Sequence, residues 1–372
     1  MNPKPSLRIL HVLRAPVGGL FRHVVDLARA QIARGHAVGL IADATTGGEA
    51  AAEIFARLMP ALKLGLVRVP MSRHAGFRDF AAFRHVAART KETAADVLHG
   101  HGAKGGAYAR LAGGYALKVY TPHGGSMHYS PFSPLGLFYL ALERALMRRT
   151  DLFLFESEFG LKTFRDKIGE PARARVVHNG VTPGEFEPVV PAADAADFVF
   201  VGELRRLKGV DVLIEALALL AARGWTGSAI CYGDGPDRKA LAARAGALGL
   251  LHRIRFPGPS PARDAFRSGR VLVVPSRAES LPYIVLEATA AAMPMVATRV
   301  GGIAEIFGPD SDALVAPGDP AALAAAIGRM HDEGAPERTR RLHERVAKNF
   351  TVEAMADAVL AAYQEAHTAR RR

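Results

Sequence analysis

Glu279 and Glu287 stand on either side of a predicted helix start, where two carboxylates can act on one ligand. Val271–Val274 is a short apolar, β-branched run that predicts a buried parallel strand, and Pro282 suits the first turn of a helix predicted over Tyr283–Ala292. The first turn of a helix has backbone N–H groups without intrahelical partners and therefore favours a bound anion. Carboxylates beside that anion can accept hydrogen bonds from hydroxyl groups. The pattern indicates a diphosphate with hydroxylated groups at both ends, which is the layout of a nucleotide-sugar.

The same two glutamates allow other interpretations. Glu279 or Ser280 can simply cap the helix, with Glu287 a polar residue on its outer face. In a glycoside hydrolase the two carboxylates would act as acid and base. A neutral glycoside, however, lacks the anion that a helix start favours. We therefore expect an anionic ligand here.

The chain of 372 residues is long enough for two domains that each bury a core, and 49% of its residues are apolar. It contains no run of about 18 apolar residues and enters a predicted strand, Leu7–Leu13, almost at once, so neither a membrane span nor a secretory signal is expected. The expected location is the cytoplasm. The only cysteine, Cys231, excludes an internal disulfide and a multi-cysteine metal site.

The net charge of +12 is concentrated in the first half of the chain, with +10 in residues 1–190 and +2 in residues 191–372. Such a field favours an anionic membrane surface, a phosphorylated acceptor or nucleic acid. Nucleic acid is not expected, because the sequence has no zinc-finger spacing and no aromatic and basic RNA motif. The candidate membrane surface is a predicted basic amphipathic helix, Phe77–Lys91, for which a core helix with a solvated basic face is the alternative.

The first half of the chain begins with a predicted βαβ unit. The strand Leu7–Leu13 is followed by a helix over Leu20–Arg34 and a second strand over Ala37–Ala42. Gly18 and Gly19 end the first loop, and their missing side chains would let backbone amides approach an anion at the helix start. A Gly-Gly pair alone is equally typical of a tight turn.

A histidine follows a later strand of the same predicted sheet. Asp96–His101, Tyr115–Thr121 and Asp151–Phe155 are predicted as further strands, the first of them as the third strand of the chain. The segment Thr121–Gly124, TPHG, then lies in a loop at the carboxyl end of a strand, where α/β sheets bind ligands. His123 is therefore a candidate ligand contact, although an isolated histidine is more often structural.

The strand pattern restarts at Phe198–Val201 and alternates with helical segments, which predicts a second parallel sheet. Thr182–Ala196, rich in Pro and Glu, is the predicted linker between the two domains. Lys208 and Gly209 follow the first strand of the second half. Gly233 begins a GDGP turn after the next strand.

An E-x7-E pattern after a strand ending in Pro-Ser, a helix of small residues and the segment MPMVATRVGGIAEI resemble the donor site of retaining glycosyltransferases of the GT-B fold, family 4 type. The resemblance runs from about residue 7 to the C-terminus and is weakest over residues 50–96. It implies an α/β protein with two Rossmann-like domains whose parallel sheets face one another across a cleft. The implied parts are an acceptor-side domain (1–181), a linker (182–196), a nucleotide-sugar-binding domain (197–350) and a C-terminal helix (351–372) that returns to the first domain.

The resemblance assigns roles to residues of the first domain and to one lysine. The family has a Gly-Gly that meets the donor phosphate and sugar, and Gly18 and Gly19 match it. His123 matches a histidine that contacts the donor sugar. Lys208 matches a lysine whose ammonium group meets the donor diphosphate.

The remaining implied contacts lie around the two glutamates and the second-domain loops. Glu279 would hold sugar hydroxyls and Glu287 the ribose, while the amides of Leu281 and of the neighbours of Pro282 would stabilise the leaving diphosphate. Gly233 matches the turn of the family. These roles are implied by the resemblance alone.

The sequence departs from the family at one position. The family usually has arginine directly after the glycine of its first second-domain strand, whereas this chain has Glu203 there, with Arg205 and Arg206 shortly after. An arginine can bind phosphate bidentately and a glutamate cannot. Either Arg205 or Arg206 is therefore expected to supply the contact, or the contact is absent.

The implied reaction is transfer of a sugar from a UDP- or GDP-sugar to a hydroxyl of a glycan or lipid-linked acceptor, with retention at the anomeric carbon. The resemblance suggests a role in cell-envelope polysaccharide or lipopolysaccharide synthesis, at the inner face of the membrane. No cofactor is expected, and no metal, since the sequence has no D-x-D pair in a donor-site loop. A nucleotide-sugar epimerase of the same fold and a non-catalytic nucleotide-sugar-binding protein remain alternatives.

Overall fold

Two separate parallel sheets organise the chain. The computed structural model describes residues 6–72, 76, 78–331 and 334–371. The chain divides into unit 1, Met1–Gly180 with Val352–Arg372, and unit 2, Val181–Thr351. The segment predicted as a linker, Thr182–Ala196, is grouped with unit 2, where the side chain of Arg263 donates to the carbonyls of Glu185 and Glu187.

Unit 1 contains a seven-stranded parallel sheet in the order β3-β2-β1-β4-β5-β6-β7. Its strands are β1 (Arg8–Leu13), β2 (Ala37–Asp43), β3 (Leu66–Val69), β4 (Val97–His101), β5 (Leu117–Thr121), β6 (Leu152–Phe155) and β7 (Ala174–Val176). Strands β2 and β4 are buried along their whole length, as expected for strands covered on both faces.

Unit 2 contains a five-stranded parallel sheet in the order β10-β9-β8-β11-β12. Its strands are β8 (Ala196–Val201), β9 (Ala229–Tyr232), β10 (Ile254–Gly258), β11 (Gly269–Val274) and β12 (Met295–Ala297). The prediction of two α/β domains with parallel sheets is confirmed.

Helices cover the faces of both sheets. In chain order they are α1 (Gly18–Ala33), α2 (Gly48–Leu58), α3 (Arg78–Glu92), α4 (Gly102–Leu111), α5 (Pro134–Met147), α6 (Glu158–Lys167), α7 (Val210–Ala221), α8 (Arg238–Ala247), α9 (Ala262–Arg267), α10 (Tyr283–Ala290), α11 (Ile303–Phe307), α12 (Pro320–Gly328), α13 (Gly334–Asn349) and α14 (Val352–Arg371). The last helix belongs to unit 1, where Met355, Val359 and Tyr363 pack with Ile9 and Leu152 in one core cluster.

Two strands of unit 1, β3 and β7, were not predicted. The stretch 50–70 reads as helical in the sequence, but the helix ends at Leu58 and the chain then forms β3 at the edge of the sheet. Only the last of the four residues of β3 is fully buried, so the strand has no continuous apolar pattern. The segment ending in His101 is consequently the fourth strand and not the third.

Helix α4 lies unusually close to the sheet of unit 1. A Cβ atom on Gly105 would lie 2.3 Å from the carbonyl oxygen of Val12, and one on Gly106 would lie 2.2 Å from the ring of Tyr120. Gly100, in β4, is equally tight, with its Cβ position 2.6 Å from the carbonyl oxygen of Gly105. Side chains at these positions would push the helix away from the sheet, so the glycines fix the position of α4.

Candidate functional site

Lys208 and Glu279 meet in unit 2, although 71 positions separate them in the chain. The Lys208 ammonium donates to both carboxylate oxygens of Glu279, at 2.7 and 2.9 Å, and the Ser276 hydroxyl donates to one of them at 2.7 Å. The Glu279 side chain is 9% exposed and that of Lys208 is 25% exposed. The pair is therefore held in place before any ligand arrives, with the ammonium group still reachable from solvent.

Glycines allow the loops that carry this pair to lie against one another. Gly209 has φ +70°, and a Cβ atom there would lie 1.9 Å from the carbonyl oxygen of Pro275, at the end of β11. Gly233 has φ +136°, and a Cβ atom there would lie 1.8 Å from the carbonyl oxygen of Gly202. Only glycine fits either position. The structure thus explains Gly209 and Gly233 through close backbone approach.

Helix α10 begins at Tyr283, with Pro282 at the N-cap position instead of within the first turn. The N-cap residue makes no side-chain capping bond, and the cap expected from Ser280 stays a prediction. The carbonyl of Ser280 accepts from the amide of Gly302 at 2.6 Å. Glu287 is half-buried in the second turn, and the side chain of Leu281 is buried in the core of unit 2.

The two candidate phosphate-binding arginines differ in their surroundings. Arg205 lies 3.4 Å from the carboxylate of Glu203, the residue that replaces the usual arginine. The backbone amide of Arg206 donates to Asp237 at 2.6 Å, which fixes the loop. Among the described residues the exposed Arg206 side chain has no ion-pair partner. Of the two arginines, Arg206 is therefore the one whose side chain is not held by a carboxylate in the described part of the chain.

Arg277 is a structural arginine that the sequence reasoning missed. It donates to both carboxylate oxygens of Asp211, at 2.6 and 2.7 Å, and to the carbonyl of Arg206 at 2.9 Å. Partial burial raises the pKa of Asp211, but the hydrogen bonds and charge of Arg277 outweigh this and lower it overall. Hydrogen bonding to Asp211 raises the pKa of Arg277 in turn. This fork ties the Lys208 loop to the loop after β11.

His123 lies in unit 1, in the loop after β5, with a strained backbone. Its φ of +50° is one of three positive values among the described non-glycine residues. Such strain, of about 1–3 kcal/mol, persists where the surrounding structure enforces it and is common at functional sites. One ring nitrogen, Nδ1, lies 2.5 Å from Glu156 Oε1, and Nε2 lies 3.0 Å from His101 Nδ1. Both ring nitrogens are thus fixed from within unit 1.

The contact with His101 continues as a chain of side chains through the sheet. His101 Nε2 lies 2.9 Å from His11 Nδ1, and His11 Nε2 lies 2.8 Å from Gln31 Oε1. Burial lowers the pKa of His11 to about 4 and, together with neighbouring histidines, lowers that of His101 well below its usual value. The inner imidazoles are therefore neutral. We name this run, Gln31, His11, His101, His123 and Glu156, the imidazole chain.

Neutral imidazoles donate through one nitrogen and accept through the other, so their proton positions are coupled. With Gln31 Oε1 as acceptor, His11 donates through Nε2, which makes its Nδ1 an acceptor for His101 Nε2–H. His101 Nδ1 then accepts from His123 Nε2–H, and His123 Nδ1 lies beside Glu156 Oε1. The amide orientation of Gln31 thus determines the tautomers of His11 and His101.

Two more histidines lie beside the imidazole chain. His99 is hydrogen-bonded to Tyr363 and Thr121, and His23 to Asn179 at 2.9 Å. The sets His11, His99, His101 and His23, His101, His123 each place three ring nitrogens within 4.8 Å of one another. A metal ion could bind only by replacing hydrogen bonds that already exist. Sequence reasoning found only His123, although histidines inside otherwise apolar strands were the available signal.

Gly18 and Gly19 lie at the exposed start of α1. The N-cap residue Val17 makes no side-chain capping bond in the described part of the chain, and the first turn has no acidic residue. The helix start therefore keeps its positive end uncompensated by a carboxylate of its own first turn. The predicted residues form two separate groups, with Gly18, Gly19 and His123 in unit 1 and the others in unit 2.

Comparison with known proteins identifies both halves of the chain. The family model described as Glycosyltransferase Family 4 matches residues 17–185, and the model described as Glycosyl transferases group 1 matches residues 195–333. A D-inositol 3-phosphate glycosyltransferase of Acidothermus cellulolyticus is 32% identical over 229 residues, which are 54% of this chain and 50% of that protein. TuaC of Bacillus subtilis, a putative teichuronic acid biosynthesis glycosyltransferase, is 33% identical over 169 residues, 45% of this chain and 41% of that protein.

Solved structures show the same fold. The structure of HepE of Anabaena in complex with UDP-glucose matches with a TM-score of 0.80, over 97% of this chain and 100% of that chain, at 18% identity. Two parallel-sheet α/β units of this kind define the GT-B fold. The chain belongs to the family 4 type of GT-B glycosyltransferases. The match spans about half the length of the curated relatives.

Proposed function

We propose that the protein transfers a sugar from a UDP- or GDP-sugar to a hydroxyl of a glycan or lipid-linked acceptor, with retention at the anomeric carbon. The observation that carries this proposal is the Lys208–Glu279 pair, preformed in unit 2 between two loops at the carboxyl ends of parallel strands. Ligands of α/β sheets bind at that edge. A cation fixed there suits a diphosphate, and a fixed carboxylate suits sugar hydroxyls.

The proposed reaction mainly requires that the protein stabilise negative charge on the leaving group. As the bond between the anomeric carbon and the diphosphate breaks, negative charge grows on the leaving oxygen. The Lys208 ammonium has three N–H groups, two of which meet Glu279, so the third can bind this oxygen. The positive start of α10 adds to the stabilisation. Glu279 would hold sugar hydroxyls, Glu287 the ribose, and Arg206 a second phosphate oxygen.

His123 would orient the sugar, together with Gly18 and Gly19 at the start of α1. This role is supported by its strained backbone and by its place in the loop at the carboxyl end of β5. No metal is required in this scheme, because Lys208, Arg206 and a helix start supply the positive charge. Activity is therefore expected to survive chelation by EDTA. Loss of activity in EDTA that magnesium or manganese restores would contradict metal independence.

The first experiment is a screen of UDP- and GDP-sugars by thermal shift, followed by measurement of nucleotide release with candidate acceptors. An epimerase would convert the donor to an isomer without an acceptor, and a binding protein would bind the donor without releasing nucleotide. Acceptor-dependent release of nucleotide, with the product retaining the anomeric configuration, supports the proposal. Either of the other two outcomes replaces it.

We further propose that the protein works at the cytoplasmic face of a membrane, in synthesis of an envelope polysaccharide. No helix in the described ranges is long and apolar enough to cross a bilayer. Of the predicted basic helix, Phe77 lies outside the described residues, while Arg89 is held by Glu92 and the carbonyl of Leu64. A better apolar surface lies around the start of α5.

That surface consists of apolar side chains that point to solvent. Phe132 is 94% exposed, and Leu135, Leu137 and Phe138 are each more than half exposed. Contiguous exposed apolar side chains on a soluble protein commonly mark a surface that binds a partner or a membrane. The excess of basic residues in the same half of the chain would add attraction to anionic lipid.

A further inference from the structure

We propose that a chamber within unit 1 binds an apolar ligand that carries one anionic group, and that this ligand is the aglycone part of the acceptor. Its identification as acceptor rests on the proposed function, whereas the binding itself does not. The chamber has a volume of about 550 Å³, and His101 and His123 are among the residues that line it. Volumes of 300–1,000 Å³ are typical of small-molecule sites.

The walls of the chamber are mainly apolar. They are formed by α3, α4 and α5, whose contributing side chains include Phe80, Phe83, Leu111, Leu142 and Leu146. Tyr129 and Tyr139, which stack with ring centroids 4.9 Å apart, line it as well. A sugar has hydroxyl groups on every side, and against these walls many of them would be buried without hydrogen-bond partners. An alkyl chain or an aromatic group would fill them.

Most charged groups that line the chamber already have a partner of opposite charge. Asp79 accepts from the Lys104 ammonium at 2.6 Å and from the Tyr108 hydroxyl at 2.5 Å. Glu143 is bound by Arg110 at 2.8 Å and accepts from Tyr120 and Ser126. Each carboxylate thus already has a cation, so neither leaves an unmatched negative charge in the chamber.

Arg14 is the exception among these groups. It follows β1, is half-buried and lines the chamber. Among the described residues it has no carboxylate partner within ion-pair distance. A partly buried guanidinium without a counter-charge favours an anion, which it can bind bidentately. Apolar walls and one unmatched Arg14 together specify an amphipathic anion, such as an alkyl phosphate or an aromatic acid.

The chamber also accounts for the position of the reacting hydroxyl. His101 and His123 are among the polar groups that line the chamber, and His123 belongs to the proposed donor contacts. An acceptor whose apolar part contacts the walls would present a hydroxyl to His123. The chamber therefore selects acceptors by the group that carries the hydroxyl and not by a sugar ring.

The test compares two dyes that differ by one group, 8-anilinonaphthalene-1-sulfonate and its neutral analogue N-phenyl-1-naphthylamine. Their fluorescence titrations use the full chain. We expect the sulfonate to bind about tenfold more tightly, as one desolvated charge pair would give. Arg14→Gln should abolish this preference and leave the neutral dye unchanged. The matched control, Arg57→Gln on the exposed face of α2, should behave as the unchanged chain.

A second variant tests whether both dyes bind inside the chamber. Ala107→Trp places a large side chain into the space and should weaken both dyes about tenfold or more. Should that variant fail to fold, Leu142→Glu at the half-exposed rim brings a negative charge to the chamber and should disfavour only the sulfonate. Preference for the sulfonate that survives Arg14→Gln, or dye binding indifferent to all chamber variants, would overturn the proposal.

Competition with simple ligands distinguishes the possible sources of the anion. Monomeric decanoate should displace the sulfonate dye more effectively than decanol does, and the difference should vanish in Arg14→Gln. Displacement by phosphatidylglycerol vesicles as well would identify lipid as a source, whereas displacement by decanoate alone would identify a soluble amphiphile. If neither competes, the chamber does not take apolar anions. Donor binding measured in parallel shows separately whether the proposed function holds.

Discussion

The two units handle charge in opposite ways. In unit 2 the groups around the candidate site are charged and paired, as in Lys208 with Glu279 and Arg277 with Asp211. In unit 1 the groups behind His123 are neutral imidazoles, buried in β1 and β4, next to an apolar chamber. A region of fixed charges suits a leaving diphosphate. A region of neutral hydrogen bonds and apolar walls suits a hydroxyl on a hydrophobic carrier.

The largest expected effect comes from removing the cation of unit 2. Lys208→Ala should lower turnover by two or more orders of magnitude, because loss of one preorganised charge contact commonly costs roughly 3 kcal/mol in the transition state. Nucleotide release is the measurement. Lys239→Ala, a change of the same kind on exposed α8, is the control and should leave the rate unchanged. A near-normal rate for Lys208→Ala would remove this lysine from the site.

Acid should destabilise unit 1 more than unit 2. The pKa of His11 is about 4 and that of His23 about 3 in the folded chain, against 6.5 for a free histidine. Above pH 6.5 these rings are neutral in both states, and below it only the unfolded chain takes up the protons. The free energy of unfolding should therefore fall as the pH decreases toward 4, by roughly 3 kcal/mol for His11 alone at about 1.4 kcal/mol per pH unit.

Urea denaturation at several pH values measures this difference. Trp225, the only tryptophan, lies in unit 2, so its fluorescence follows that unit, while circular dichroism follows both. His11→Asn should flatten the pH dependence, and His252→Asn, an exposed change in unit 2, should not. Equal acid sensitivity in the two units would contradict the expectation.

Variants of Arg205 and Arg206 test which arginine of unit 2 binds the donor phosphate. Arg206→Ala should lower turnover about tenfold, since its guanidinium is available to bind phosphate. Arg205→Ala should have a smaller effect, because Glu203 already lies beside it. Kinetics of both variants with the same donor provide the comparison. The reverse order, or small and equal effects, would exclude this assignment of the phosphate contact.

The imidazole chain predicts a spectroscopic effect in unit 1. Gln31→Glu keeps an acceptor opposite His11 and should preserve the tautomers, whereas Gln31→Leu removes it and should change the ring nitrogen signals of His101 and His123. Nitrogen NMR with labelled histidine is the measurement. Gln364→Leu, a change on α14 that does not touch the imidazole chain, is the control. Signals that are identical in all variants would show that Glu156 alone determines the tautomer of His123.

The smallest expected effect is on membrane binding. Anionic vesicles should bind the protein reversibly and zwitterionic vesicles much less, with release at high salt because the screening length falls from about 8 Å to about 3 Å. Phe132→Ser with Leu137→Ser should weaken binding a few-fold, whereas Val190→Ser, a change of an exposed apolar residue in unit 2, should not. Binding indifferent to lipid charge would contradict the electrostatic part of the proposal.

The sequence predicts local features well where periodicity and small residues define them. The strand ending at Val274 and the helix from Tyr283 follow from patterns within a few residues. Strand β3 was missed because an edge strand of four half-buried residues has no strong pattern. Short edge strands depend on their neighbour for stability and not on their own sequence.

Contacts between distant side chains were beyond sequence reasoning. Arg277 lies 66 positions from Asp211 and His101 lies 90 positions from His11, and no spacing rule links them. The resemblance to a family indicated Lys208 and Glu279 separately, but only the structure shows that they form an ion pair. The chamber likewise could not be predicted from the sequence. Its walls come from three separate helices, and no pattern within any one of them indicates a cavity.

The contact of α4 with the sheet also limits how the protein can change over generations. Any mutation of Gly105 or Gly106 adds atoms against Val12 or Tyr120, so α4 cannot change its contact with the sheet through these positions in single steps. The outer wall of the proposed chamber has no such restriction, since Leu142 and Phe80 are partly open to solvent. A lineage that acquired a new acceptor would therefore accumulate its substitutions in α3 and α5. A mutagenesis library for directed evolution of acceptor choice should therefore vary positions in α3 and α5.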